Sequence, residues 1–134
     1  MSRFTQAEID YLGTQRLGRL ATINTAGELH VVPVSFRYNP ELDTLDIGGR
    51  WISTSRKYRD VERDGRVAFV VDDITASSLP RGMEIRGRAV VAPTGGQAIR
   101  PTLDPEIIRI TPTRIISWGV NGDNNYRPAG RNVE

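Results

Sequence analysis

The sequence predicts a mainly β fold, a small antiparallel β-barrel of about six strands with two short helices. Runs of alternating or β-branched apolar residues recur along the chain, and turns rich in Gly, Pro, Asn or Asp separate them. Only two segments carry helix start signals. A chain of 134 residues is the usual size of one domain. We therefore expect residues 1–134 to form a single domain that ends in a polar tail at residues 120–134.

The first elements are predicted from caps and turns. Thr5 and Glu8 have the spacing of a capping box, so residues 5–15 should form a short helix. Residues 18–24 and 28–39 are rich in β-branched side chains, and the Thr-Ala-Gly turn between them predicts a β-hairpin.

The second helix should begin between Ser53 and Ser55, where a hydroxyl can cap it, and end near Gly65. Gly87 indicates a bulge or a close approach of another chain segment, and Pro112 interrupts the last predicted segment, which forms one or two strands. The remaining predicted strands are residues 44–49, 66–73, 83–93 and 107–120, and the predicted loops are 73–82 and 94–106.

Composition excludes several classes of function. The chain has no Cys and a single His, His30, so thiolate and histidine metal sites are not expected. It has no apolar run that could span a membrane and no signal peptide, which predicts a cytoplasmic protein. A net charge of +2 without an aromatic platform argues against nucleic-acid binding. No catalytic triad or carboxylate pair stands out.

Residues 53–67, STSRKYRDVERDGRV, contain the only lysine of the chain, Lys57. A helix N-terminus, nearby hydroxyls and the charges of Arg56 and Lys57 together suit one phosphate group. An exposed, solvated helix face explains the same pattern.

The strand HVVPVSF, residues 30–36, contains Pro33, which cannot donate to a β-ladder. A strand whose backbone is partly free could bind the polar edge of a heterocycle, although a kinked edge strand has the same pattern. The interior of a six-stranded barrel is filled by its own side chains, so a sizeable cofactor must bind outside it. A homodimer with the site in its seam would bury such a ligand.

Five segments resemble a known family. GRLATI at 18–23, HVVPVSF at 30–36, SRK at 55–57, GRVAFVVDD at 65–73 and ISWG at 116–119 resemble the split β-barrel flavin and deazaflavin oxidoreductases, the pyridoxamine 5′-phosphate oxidase-like superfamily. FRYNPELDTLDIGG and EIIRITPTRIISWG look most like its small actinobacterial branch that uses coenzyme F420, which includes the tetracycline-biosynthesis type of reductase.

The resemblance implies hydride transfer between reduced F420 and an electron-poor carbon of a small organic substrate. It also implies homodimers in which late residues of the partner complete each site, and no catalytic residue or metal ligand is assigned. Tyr126 and Ser35 are candidate proton donors, and the loops 73–82 and 94–106 are expected to form the far wall of the pocket. The residues expected to bind the cofactor are Val31, Val32, Pro33, Val34, Ser35, Gly48, Gly49, Ser55, Arg56, Lys57, Trp118 and Arg127.

The chain also departs from the family pattern. It lacks the Arg-Leu-His-x-Arg type motif of true pyridoxamine phosphate oxidases, which argues against vitamin B6 oxidation. FMN remains the alternative cofactor, while Arg50, Arg59 and Arg63 are available for the acidic tail of F420. A non-catalytic carrier of FMN, haem or F420 is the other alternative.

Overall fold

The computed structural model describes residues 1–121 and 126–133. It contains seven strands, three α-helices and a short 3₁₀-helix at Ile52–Thr54. The helices are α1 Gln6–Leu12, α2 Arg56–Arg63 and α3 Gly96–Ile99. The strands are β1 Leu17–Ile23, β2 Leu29–Asn39, β3 Thr44–Gly48, β4 Arg66–Ile74, β5 Pro80–Ala92, β6 Ile107–Trp118 and β7 Ala129–Asn132.

Six of the strands form the predicted antiparallel barrel. They follow the order β3-β2-β1-β4-β5-β6, and pairing of β3 with β6 closes the barrel. The first half of β6 pairs with β3, for example Ile108 with Ile47. The second half pairs with β7, for example Ser117 with Ala129.

The tail expected at residues 120–134 therefore includes a strand, which the polar sequence did not predict. Arg131 of β7 donates to the carboxylate of Glu8 at 2.6 and 2.9 Å, and the Glu8 side chain is fully buried. Burial alone would raise the pKa of Glu8, but the Arg131 guanidinium and the Thr5 N–H lower it below the ordinary value. This ion pair fixes β7 against α1. Residues 122–125 and 134 of the expected tail lie outside the described residues.

The predicted local signals hold at three places. Thr5 and Glu8 form the capping box of α1, in which each side chain accepts from the other residue's backbone N–H. Ser55 caps α2, and this helix ends at Arg63. Pro112 does not split β6. The strand instead forms a β-bulge, in which β6 has one residue more than β5 between the pairs Arg86–Arg114 and Gly87–Pro112. The segment 94–106, expected to be a loop, contains the single turn of α3.

The core fills the barrel with apolar side chains. Phe36 and Phe69 meet edge to face at 5.0 Å between ring centroids. Gly18 leaves space for Phe69, since a Cβ at that position would overlap its ring. The other fully buried side chains include Leu20, Leu45, Ile47, Met83, Ile85, Ile108, Ile110 and Ile115. A sizeable ligand must therefore bind on the outside or at the ends of the barrel. In the described part of the chain, no helix has the length and apolar character to span a membrane.

Candidate cofactor site

The first half of β2 has one open edge. Its register with β3 starts at Ser35, so residues 29–34 pair with β1 alone. The prediction of a strand whose backbone is partly free around Pro33 is thus confirmed. Val31 is 66% exposed, whereas Val34 is only 4% exposed and packs into the core. Of the expected cofactor residues on this strand, Val34 can contribute little besides its backbone.

A cavity of about 320 Å³ lies beside Ser35, and we call it the Ser35 cavity. The free half of β2, the turn after β3 and the loop after α3 form its walls. It is lined by Leu17, Pro33, Val34, Ser35, Gly48, Gly49, Arg50, Lys57, Arg100 and Leu103. The structure therefore brings five of the expected cofactor residues, Pro33 to Ser35, Gly48 and Gly49, together with a sixth, Lys57.

Lys57 lies in the first turn of α2 and lines two cavities. One is the Ser35 cavity, and the other is a cavity of about 340 Å³ that Lys57 shares with Thr22, His30, Val32 and Arg56. Burial lowers the pKa of Lys57 below its ordinary value. Within residues 1–121 and 126–133, the Lys57 ammonium has no carboxylate partner. A half-buried cation without a counterion is suited to an anionic ligand.

A third depression, of about 470 Å³, follows α2, and we call it the α2 groove. Arg59 donates to the Thr54 carbonyl at 2.8 Å. Asp60 is 2% exposed and accepts a hydrogen bond from Thr22 Oγ1 at 3.0 Å. The groove is lined by Asn24, Thr25, Glu28, His30, Arg56, Arg59, Asp60 and Arg63.

Ser55 is the N-cap residue of α2. Its hydroxyl oxygen accepts from the Tyr58 N–H at 3.4 Å, and its O–H donates to the Ile52 carbonyl at 2.6 Å. Since the hydroxyl hydrogen is thereby used, Ser55 orders the helix start that carries Arg56 and Lys57.

Trp118 and Arg127 do not line the Ser35 cavity within one chain. Trp118 lies in a separate depression of about 280 Å³ on the outer face of the sheet, together with Val31 and Val70. Arg127 is exposed ahead of β7. Tyr126 lies near Gly119 at the end of β6, because a Cβ on that glycine would be 2.8 Å from the Tyr126 ring.

Sequence reasoning missed Arg100. Its guanidinium Nη2 donates to Ser35 Oγ at 3.2 Å, although the two residues lie far apart in the sequence. The loop at 94–106 was expected at the far wall of the pocket, but its sequence has no recognisable chemistry and no local pattern connects Arg100 with Ser35. Only the closure of the barrel through β3 and β6 brings this loop to the free half of β2.

Two contacts hold the loop after α3 against the turn after β3. The Asp104 N–H donates to the Gly49 carbonyl at 3.2 Å, and Asp104 Oδ2 accepts from the Trp51 N–H at 2.6 Å. Trp51 has a φ of 55°, a left-handed conformation that is unusual for a bulky residue and is found at functional sites. Gly48 allows close packing here, since its Cβ would lie 2.8 Å from Ile99 Cδ1 and 3.0 Å from Leu103 Cδ1.

The chain is 49% identical over 122 residues to a 5a,11a-dehydrotetracycline/5a,11a-dehydrooxytetracycline reductase of Streptomyces rimosus. The match covers 90% of this chain and 86% of the relative. The chain belongs to the pyridoxamine 5′-phosphate oxidase-like split β-barrel oxidoreductases. The identity of 49% to a named reductase shows that the chain is an enzyme, as its resemblance to the family implied, and we call it the split-barrel reductase.

Solved structures share the fold of the split-barrel reductase. A conserved hypothetical protein of Mycobacterium tuberculosis superposes with a TM-score of 0.69 at 20% identity, covering 88% of this chain and 86% of the other. An FAD binding protein of Mycobacterium smegmatis superposes with a TM-score of 0.64 at 21% identity, covering 97% and 96%. No protein-family model matches the sequence.

Proposed function

We propose that the split-barrel reductase uses coenzyme F420, with FMN as the alternative, to reduce an electron-poor carbon of a small organic substrate. The observation that carries this proposal is Lys57, a half-buried cation without a carboxylate partner among the described residues, next to the open edge of β2. When bound, the reduced cofactor would supply the hydride.

Lys57 and Arg56 would hold the cofactor phosphate. Lysine offers a compact charge on a flexible stem, while arginine offers a planar pair of donors to phosphate oxygens. Both residues line the cavity that also contains Val32, and Ser55 fixes the helix turn that presents them. The phosphate would thus lie where α2 begins.

The free half of β2 would hold the flat ring. Backbone groups of residues 31–34 have no partner strand on one side, so they are available to the polar edge of a heterocycle. Gly48, the register partner of Ser35, and Gly49 also line the Ser35 cavity and place no side chain in it.

The α2 groove favours F420 over FMN. F420 carries an acidic tail beyond its phosphate, and the groove provides Arg59 and Arg63 next to Arg56. Arg50, which the sequence grouped with these two, lines the Ser35 cavity instead.

A homodimer would complete the site. The outer face of the free half of β2 is apolar, with Leu29 77% and Val31 66% exposed. Exposed apolar surface of this kind is typical of protein interfaces. A second copy packed here would exclude water from the ring, and its Trp118 and Arg127 are the residues that we propose as its contribution.

The substrate is proposed from the relative. The Streptomyces rimosus protein is named as a reductase of dehydrotetracyclines, and we propose the same type of reaction, reduction of a conjugated carbon–carbon double bond in a polycyclic metabolite. The chain's own residues would orient the two flat molecules, which is where such an enzyme gains most of its rate.

The experiment that tests this function is a fluorescence titration of the purified protein with F420 and FMN in parallel. It is followed by turnover of dehydrotetracycline, simple enones and quinones with the reduced cofactor. We expect saturable binding of F420, weaker binding of FMN and consumption of reduced F420 with the polycyclic substrate. Binding of neither cofactor would refute the proposal, and tightly bound FMN in the purified protein would favour the alternative.

A further inference from the structure

We propose that the Ser35 cavity binds a planar conjugated oxyanion, an ionised enol, phenol or aromatic carboxylate, and that Arg100 selects its ionised form. The inference deepens the proposed function and rests on it for the identity of the natural ligand. Three features of the cavity support this assignment: its charges, its apolar walls and the hydrogen bond between Arg100 and Ser35.

The charges around the cavity all have one sign. Arg50, Lys57 and Arg100 line it, and its lining contains no Asp or Glu. In the part of the chain that the structure describes, none of these cations forms an ion pair with a carboxylate. Three like charges around one cavity repel one another, so an anion between them is favoured.

The remaining walls are apolar. Leu17, Pro33 and Leu103 line the cavity, and Leu17 is 50% exposed in the described structure. A small inorganic anion would leave Leu17 and Pro33 in water, whereas a flat organic ring would cover them and gain hydrophobic free energy. The cavity of about 320 Å³ also lies in the range of sites for small organic molecules. The preferred ligand is therefore an anion on a conjugated ring.

The hydrogen bond between Arg100 and Ser35 provides a matching donor pair. Because Arg100 Nη2 donates to Ser35 Oγ at 3.2 Å, the Ser35 hydroxyl hydrogen is left to donate to a ligand. The other N–H groups of the guanidinium offer charge-assisted donors next to it. These hydroxyl and guanidinium donors stabilise an oxyanion more than they stabilise the corresponding neutral oxygen.

The loop that carries Arg100 is held in place. The Arg100 N–H donates to the Gly96 carbonyl at 3.2 Å, and Asp104 bonds the Gly49–Trp51 turn from both its backbone and its side chain. Leu103, which follows Arg100 in this loop, is 5% exposed. The guanidinium is therefore presented from a fixed support rather than from a mobile surface loop.

Two sources could supply the oxyanion, the ionised ring of the cofactor or an enolate of the substrate. The test uses a shape-matched pair of probes, 2-naphthoate and 2-naphthamide, with binding followed by calorimetry on the protein without cofactor. We expect the carboxylate to bind about tenfold more tightly than the amide. Arg100→Gln should bring the two affinities to within about twofold, while Arg88→Gln, an exposed site on β5 outside the cavity, should leave the preference intact.

Equal affinities of the wild-type protein for the two probes, or the same preference in Arg100→Gln, would overturn the inference. Thermal melts of both variants should match the wild type, because both arginines are exposed. Added F420 that displaces naphthoate assigns the cavity to the cofactor ring, and simultaneous binding assigns it to the substrate. A protein that prefers naphthoate but binds neither F420 nor FMN would retain this inference and refute the proposed function.

Discussion

The Ser35 cavity, which Lys57 lines, and the α2 groove, which the neighbouring Arg56 lines, differ in what surrounds their cations. The Ser35 cavity is lined by the cations Arg50 and Arg100 together with apolar side chains, and its lining contains no carboxylate. In the α2 groove, Arg59 and Arg63 are accompanied by Glu28, the buried Asp60 and polar side chains.

This difference separates two kinds of anion recognition. A cavity with apolar walls discriminates by the shape of a ring and by the position of one charge. A polar groove with charges of both signs holds a hydrated, flexible chain loosely, and its contribution depends on salt. Lys57 lines the Ser35 cavity and the cavity that it shares with Arg56, so its loss removes a positive charge from both of these cavities.

The largest effect is expected from Lys57→Ala. Loss of one charge-assisted contact should weaken binding of F420 by about 1.5–3 kcal/mol, roughly 10- to 150-fold. Fluorescence titration measures this change. Arg88→Gln serves as the control, since it also removes one positive charge but lies outside the site, and it should bind like the wild type. Affinity unchanged in Lys57→Ala would remove Lys57 from the cofactor site.

The lowered pKa of Lys57 predicts that cofactor affinity depends on pH. The ammonium is charged below its pKa and loses the charge as pH rises, and burial shifts this loss to a pH below the ordinary lysine range. Affinity of the wild type for FMN should therefore fall with alkaline pH. Lys57→Arg keeps its charge and should lose less affinity over the same range, while ionisation of the ligand is common to both proteins. Parallel pH profiles of the two proteins would contradict this prediction.

A smaller effect is expected from Gly48→Ala, which tests the wall of the Ser35 cavity. The new Cβ would press on Ile99 and Leu103, so unfolding free energy should fall by about 1 kcal/mol relative to Gly49→Ala. Gly49 is the matched control, because its Cβ would lie 3.7 Å from the nearest atom of Ile52. Urea denaturation measures both variants. Equal stabilities would show that the loop after α3 adapts to the additional methyl group.

The smallest effect is expected in the α2 groove. Arg59→Gln should weaken the binding of F420 by only a few-fold, since exposed ion pairs contribute about 0.2–1 kcal/mol. The change should disappear at high salt and should be absent for FMN, which lacks an acidic tail. Titrations at two salt concentrations check this. A salt-independent loss of affinity for both cofactors would mean that Arg59 contacts the part of the molecule that F420 and FMN have in common.

The sequence predicted the elements that depend on local signals. The capping box of Thr5 and Glu8, the Ser55 cap and the hairpin turn involve neighbouring residues, and the structure has all three. The free half of β2 was also predicted, because proline in a strand has one physical consequence whatever the fold.

The sequence could not predict contacts set by barrel closure. Arg100 reaches Ser35 only because β3 pairs with both β2 and β6, and no periodicity encodes that pairing. The strand β7 was missed for a similar reason, since its stability comes from pairing with β6 and from the Arg131–Glu8 ion pair, not from apolar alternation. Non-local pairing overrides local propensity in both cases.

We propose that one anionic cofactor lies along the free half of β2 with its phosphate at Lys57. A crystal structure of the protein with bound F420 would show the position of both groups. We expect the phosphate within hydrogen-bonding distance of Lys57 Nζ, the ring along residues 31–35 and a second copy of the chain covering Val31. A cofactor bound in the depression of Trp118, without contact to Lys57, would contradict the claim.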